Sequence, residues 1–123
     1  MFELANKKLL DLNGLETFWN NVDERKQDSI NLITHNNNDN IVAINANEFH
    51  QWDVVESLTI ELNPVNDVTK YNEYMFQFTS GESPTILSIS NNVKWFAEPN
   101  IESNKIYQVS IVNNLGIIVG YNL

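Results

Sequence analysis

The feature that most constrains the fold of this chain is the alternation of apolar and polar residues in short segments from Ile41 onward. A period of two is typical of a β-strand with one buried face, because successive side chains point to opposite sides of a sheet. The residues that share this alternation, and are therefore predicted to form one buried face, are Tyr74, Phe76, Phe78, Leu87, Ile89, Tyr107, Val109 and Ile111.

Turn-forming residues separate these segments. Strands are predicted over 41–46 and 54–62, and the pair Asn113-Asn114 predicts a tight hairpin into a last strand that begins near Leu115. About six short strands bounded by turn signals indicate a mainly β fold, a small antiparallel β-sandwich or barrel. Asparagine supplies 21 of the 123 residues, and this abundance reflects either a turn-rich fold or codon bias.

A helical pattern precedes the strands. Asn13 and Glu16 have the spacing of a helix N-cap, and an apolar stripe at helical spacing follows. Ile30 and Ile33 resume this spacing, so the helix is predicted to extend to about Thr34. The sequence therefore predicts a helical anchor or oligomerisation segment over 1–35 and a β-domain over 36–123.

The stripe is large for so short a helix. It either packs on its own domain or docks into another chain, and the seven polar residues 23–29 that follow it favour docking. The residues predicted to form this oligomer or attachment interface are Leu12, Leu15, Phe18, Trp19 and Val22.

Charge and composition exclude several classes of function. The net charge is −9 with only seven Lys and Arg, which argues against binding to nucleic acid and to anionic membranes. The absence of cysteine excludes disulfides and thiolate metal sites. No apolar run approaches the roughly 18 residues of a membrane helix, and the first residues do not resemble a signal peptide. A soluble protein made in the cytoplasm is expected.

No set of residues in the sequence indicates catalysis, a metal or a cofactor. His50, Asp53 and Glu56 would converge only on a helix, and their neighbours predict a strand. The run Asn36–Asn40 superficially resembles a calcium loop but lacks its glycine and its bidentate glutamate. There is no nucleophile motif and no phosphate-binding glycine loop. The protein is therefore expected to be no enzyme, with no metal ion and no cofactor.

Two tryptophans are candidates for a ligand-facing role. Trp52 and Trp95 could provide flat aromatic surfaces on which sugar rings stack, although burial in the core is the favoured interpretation for both.

Two stretches carry a resemblance to a known group of proteins. The segment from Lys8 to Trp19, KLLDLNGLETFW, resembles the "LDLNGL-xx-FW" opening of bacteriophage tail, baseplate and fibre proteins. Four further segments are similar to the C-terminal β-module of such proteins, namely 74–78, 93–95, Pro99 and 104–111. The combination is most similar to phages of gut Bacteroidota, including the crAss-like group.

This resemblance implies a virion structural protein without enzymatic activity. The expected role is a short head or tail fibre or appendage subunit, a homo-oligomer and by analogy a homotrimer, made in the host cytoplasm. Its N-terminal segment would attach it to capsid or tail proteins. The alternative is a receptor- or carbohydrate-binding module that contacts a host surface glycan. A glycan hydrolase is a third and weaker interpretation.

Overall fold

The computed structural model describes residues 30–123. The predicted N-terminal helix and its five interface residues lie outside this range. The described residues form nine β-strands: β1 (Asn31–His35), β2 (Ile41–Ile44), β3 (Glu48–Val54), β4 (Ser57–Leu62), β5 (Tyr74–Ser80), β6 (Ile86–Ile89), β7 (Lys94–Trp95), β8 (Lys105–Val112) and β9 (Leu115–Asn122).

The strands form two sheets that share one core. The larger sheet has the order β1-β3-β5-β8-β9-β7, and the smaller has the order β2-β4-β6. From β1 to β6 the chain alternates between the sheets, so each strand pairs in parallel with the strand two places further along. This part of the chain winds as a two-sided coil, in which each turn adds one strand to each sheet.

The mainly β prediction is confirmed, but the prediction of an antiparallel architecture is wrong for most of the fold. Only β5 with β8 and β8 with β9 pair antiparallel, and the β7–β9 pair is also parallel. The alternation of apolar and polar residues shows that one face of a strand is buried. The same alternation is expected in parallel and in antiparallel pairs. Parallel neighbours need a crossover connection, and here the strand of the opposite sheet provides it.

The antiparallel end is closed by the predicted hairpin. Asn113 and Asn114 have φ angles of 52° and 64°, which is the left-handed pair of a type I′ turn. All four non-glycine residues with positive φ in the described chain are asparagines, the other two being Asn47 and Asn104. Asparagine tolerates this conformation better than other residues with a side chain. At least part of the asparagine content is therefore explained by turns.

The predicted inward orientation is confirmed, but the residues belong to two sheets and not to one face. Phe76, Phe78 and Ile111 of the larger sheet are fully buried, Tyr107 and Val109 nearly so, and Tyr74 packs against them. Leu87 and Ile89 pack against the same core from β6 of the smaller sheet. Its opposite wall comes from the smaller sheet and consists of Ile44, Leu58, Ile60 and Leu62.

Two boundaries differ from the prediction. Residues 31–35 form the edge strand β1 and not the end of a helix, so the β-domain begins at Asn31. In an edge strand Ile33 can satisfy helical spacing by coincidence, because short apolar patterns fit both periods. Residues 48–54 form a strand of their own, β3, which sequence analysis treated only as the entry to a strand. Between residues 30 and 123 there is no helix that is long and apolar enough to cross a membrane.

Candidate functional site

A groove of about 830 Å³ lies where β6, β7 and the β8–β9 hairpin meet. It is lined by Leu87 and Ile89 of β6, by the segment leading into β7 and by the hairpin turn. The remaining lining residues are Asn91, Asn92, Val93, Lys94, Trp95, Pro99, Asn113, Asn114 and Leu115. The groove is therefore open, and apolar side chains and asparagine amides share its lining.

Trp95 is positioned by the short strand β7, which pairs with the start of β9. A Cβ atom at Gly116 would lie 2.8 Å from Cε3 and Cζ3 of Trp95. The indole thus packs over a position where only glycine fits, and one part of it remains at the groove wall because the residue is half-buried. Trp95 packs against the core, and because it is only partly buried it remains a candidate ligand-facing residue.

Trp52 is a core residue, and this corrects its candidacy as a ligand-facing aromatic. It is 1% exposed, its Nε1–H donates to the carbonyl oxygen of Asp39 at 2.6 Å, and Phe76 meets it edge to face. A buried indole that has satisfied its only donor has no face left for a ligand.

The amides around the groove differ in how much of their hydrogen-bonding capacity is used. The Oδ1 atom of Asn91 accepts from the Leu62 amide at 2.9 Å, so this side chain secures the end of β4. Within residues 30–123 the side chains of Asn92, Asn113 and Asn114 make no hydrogen bond, although each offers two donors and an acceptor.

Lys94 is the charged residue of the groove. It is exposed, and no carboxylate of the described residues pairs with it. Both other lysines of the described chain have partners, Lys70 with Asp67 and Lys105 with Glu102. The register of Lys94 with Leu115 places its side chain on the outer face of the larger sheet, opposite to the face of Val93 and Trp95.

A second polar cluster joins β1, β3 and the turn between β1 and β2. The Nε2 atom of His35 lies 2.8 Å from Nδ1 of His50. The remaining nitrogen of each ring lies against a carboxylate, His35 Nδ1 at 2.6 Å from Asp39 and His50 Nε2 at 3.0 Å from Glu48. The His35 ring also stacks on Trp52 with a centroid separation of 4.3 Å.

The cluster has a defined proton arrangement when all three contacts are hydrogen bonds. The two outer nitrogens donate to the carboxylates, and the central contact needs one further proton on either His35 or His50. Burial lowers the pKa of His50, and the adjacent His35 lowers it further, against the raising effect of the Glu48 hydrogen bond. The neutral form of the His50 ring is therefore favoured.

The residues considered for metal binding in the sequence are not brought together. His50 is buried in the cluster, whereas Asp53 and Glu56 are exposed beyond it. In residues 30–123 no three His, Asp or Glu side chains are grouped so that they could hold a metal ion. In the Asn36–Asn40 turn, the carboxylate of Asp39 faces His35.

The outer face of the larger sheet is the third notable feature. Three rows of paired residues on it contain no charged residue, whereas the next row, Val112, Leu115 and Lys94, contains one. The first row is Leu32, Phe49, Met75, Ser110 and Ile117, the second is Thr34, Gln51, Gln77, Gln108 and Val119, and the third is Thr79, Ile106 and Tyr121. At the β7 side of this face, an apolar hollow of about 400 Å³ lies beside the exposed Phe96.

Comparison with known proteins finds no matching family model, no matching curated protein and no matching solved structure. The groove and the histidine cluster are therefore described from the structure of this chain alone. Sequence analysis identified Trp95 but not the groove, because the groove depends on the β7–β9 pairing. It also missed the histidine pair, which forms only when β1 and β3 adopt their register.

Proposed function

We propose that this chain is a non-enzymatic structural subunit of a bacteriophage particle, a short head or tail fibre or appendage that assembles with its own copies and with other virion proteins. The observation that carries the proposal is that three neighbouring rows on the outer face of the larger sheet contain no charged residue, on a chain of net charge −9. Apolar and amide side chains there replace the charged residues typical of a sheet face in water.

Several side chains of this face are exposed to an extent that favours contact with another protein. Leu32 is 63% exposed and Ile117 is 52% exposed. Contiguous exposed apolar surface of this kind often marks an interaction site. Copies of an acidic chain repel one another elsewhere, so the three rows without charge are where a second copy can approach at the least electrostatic cost.

The sequence motifs support the phage assignment and the mode of attachment. The LDLNGL-xx-FW resemblance at 8–19 is the basis for proposing attachment through Leu12, Leu15, Phe18, Trp19 and Val22. A homotrimer is the proposed state, on the analogy with phage fibres. The proposed location is the virion.

Light scattering on the full-length protein tests assembly through the sheet face. We expect an oligomer at tens of micromolar, about the concentration at which weak interfaces form. Val119→Lys places a charge in the middle of the face and should shift the mass towards that of the monomer. Ser88→Lys places the same charge on an exposed position of the smaller sheet and should leave the mass unchanged. A monomeric wild-type protein would refute the assembly proposal.

Mass spectrometry of gradient-purified phage particles tests the virion assignment separately. Peptides of this chain should be recovered from virions of the phage that encodes it, in fixed ratio to the capsid or tail proteins. Particles that lack the chain would exclude a structural role in the virion, whatever its oligomeric state.

The groove supports a second candidate function, a receptor- or carbohydrate-binding module within the same particle. Its half-buried indole and three unengaged amides have the chemistry that sugar rings and hydroxyl groups require. A glycan array separates the two functions, since a purely structural subunit should give no signal on it.

A further inference from the structure

The contact between His35 and His50 has room for a single proton. Its two nitrogens, Nε2 of His35 and Nδ1 of His50, lie 2.8 Å apart, so one must donate while the other accepts. The outer nitrogen of each ring lies against a carboxylate, that of Asp39 or that of Glu48, and turning a ring over would cost this hydrogen bond. A second proton would set two N–H groups of two charged rings against each other. The contact therefore does not survive double protonation.

The surroundings of the pair oppose the second proton. Burial is the largest influence on the pKa of His50, and it lowers this pKa against the raising effect of the hydrogen bond to Glu48. The two carboxylates are the charged groups of the described chain that bond to the rings. The smaller sheet presents no titratable residue to the buried core, and its buried residues are Ile44, Leu58, Ile60 and Leu62.

The neighbouring strands add no further acceptor for the pair. Trp52 stacks on one ring, and Phe76 of β5 is the register partner of His50. Tyr74 is the titratable residue on the inner face of β5, and its hydroxyl donates to the carbonyl oxygen of Asn63. A second proton on the pair is thus met by no new hydrogen bond within the described part of the chain.

The edge strand β1 is the element that a broken contact would release. It pairs with β3 alone, whereas β3 is also paired with β5. Of its five residues only Ile33 and His35 are half-buried, and none is fully buried. A strand with so few buried contacts opens locally at a low cost in free energy. The contacts of His35 are therefore a large share of what holds β1 in place.

We propose that the histidine pair is an acid-sensitive switch: when it takes up a second proton, β1 separates from β3 while the rest of the domain stays folded. The open state binds this proton at a higher pH than the closed state does, because the two rings are then apart. Opening is therefore favoured as pH falls below about 6.5, the ordinary pKa of histidine. The separation leaves the backbone groups of β3 that faced β1 without partners, which presents a free strand edge.

Amide hydrogen exchange of the full-length protein tests the proposal. Protection factors of β1 and β8, corrected for the pH dependence of the intrinsic exchange rate, are compared at several pH values. Uptake of one proton on opening changes the opening constant by up to about tenfold per pH unit. Protection of β1 should therefore fall at least about tenfold between about pH 7.5 and pH 5, and it should stay well below that of β8.

Nuclear magnetic resonance reports the contact itself. The chain has only two histidines, so their ring nitrogen signals are readily assigned. Scalar coupling between the two facing nitrogens, His35 Nε2 and His50 Nδ1, should be present at neutral pH. It should disappear over the same pH range in which β1 loses protection.

Two variants on β1 separate protonation from packing. Glutamine keeps a polar side chain but takes up no proton, so His35→Gln should remove most of the pH dependence of β1 protection. Ile33→Ala weakens the packing of β1 and leaves both histidines in place, so protection should be lower at every pH and fall with the same slope. Protection of β8 shows in each case that the domain is folded.

The remaining outcomes would contradict the proposal. Protection of β1 that does not change with pH in the wild-type protein would overturn it, and so would an unchanged slope in His35→Gln. If β1 and β8 reached the same protection in acid, the domain would unfold as a whole and β1 would have no separate opening. Loss of the slope in Ile33→Ala would assign the effect to packing and not to the histidine pair.

Discussion

The Nε2 atom of His35 lies 2.8 Å from Nδ1 of His50, across two adjacent parallel strands. His50 is 4% exposed, and burial holds its pKa below the ordinary value of 6.5. The unfolded chain therefore binds a proton at this residue at a higher pH than the native chain does. It follows that stability falls as pH falls below about 6.5, and that it levels off below the native pKa.

We expect His50→Gln to reduce this loss of stability on acidification. Urea unfolding followed by tryptophan fluorescence between pH 5 and 8 measures it. If the two proteins lose stability in parallel over this range, His50 does not carry the proton linkage.

The aromatic core gives the largest expected effect of a single substitution. Phe76 is fully buried and contacts Trp52 and Phe78, so Phe76→Ala should cost about 3–5 kcal/mol of unfolding free energy. Thr59 lies on the other side of its strand from Leu58 and Ile60 and is half-buried. Thr59→Ala should cost well under half as much in urea unfolding. Equal losses would mean that the inward face has been assigned to the wrong residues.

At the asparagines with positive φ, substitution by alanine should cost more stability than substitution by glycine. Asn104 has a φ of 60°, so Asn104→Ala should cost about 1–2 kcal/mol, whereas Asn104→Gly should be close to neutral. Thermal unfolding of the two variants measures the difference. Asn122→Ala is a control in an exposed strand position, and a similar cost there would remove the backbone explanation.

The start of β1 predicts where the chain can be shortened. Removing residues 1–29 leaves every strand and the described core, so the product should unfold cooperatively in urea. Removing residues 1–35 also deletes β1, including His35 and its contacts with Trp52 and His50, and should destabilise the domain markedly. Equal stability of the two products would show that β1 contributes little.

Light scattering on the shorter deletion also tests the attachment segment. If the stripe from Leu12 to Val22 forms the contact between chains, removing residues 1–29 should lower the mass. An unchanged oligomer would leave the sheet face as the interface.

The sequence was informative where the pattern is local. Alternation identified the buried face of β5 and β8, because whether Phe76 or Gln77 points inward is decided within the strand. The hairpin was predictable because Asn113-Asn114 determines its own backbone geometry.

The direction of strand pairing was not predictable in this way. The strands that pair with β3 depend on how the chain alternates between the two sheets. The bulge between Gln51 and Val54 also shifts the register of β3 with β5. The candidate sites depend on the same winding. Lys94 and Asn92 are ordinary surface residues in the sequence, and only the pairing of β7 with β9 brings this segment beside the hairpin.

The two-sided coil from β1 to β6 has a consequence for how a chain of this kind could vary in length. Each turn rests on the one before it through parallel pairing, and in the larger sheet the strands β8, β9 and β7 follow the last turn. Near the other end, β1 and β2 each pair with a single strand of the described chain. A further turn could therefore stack on β1 and β2 without disturbing the groove or the hairpin. Such a domain could be lengthened by inserting whole turns, so the distance it spans and the ligand it binds could change independently.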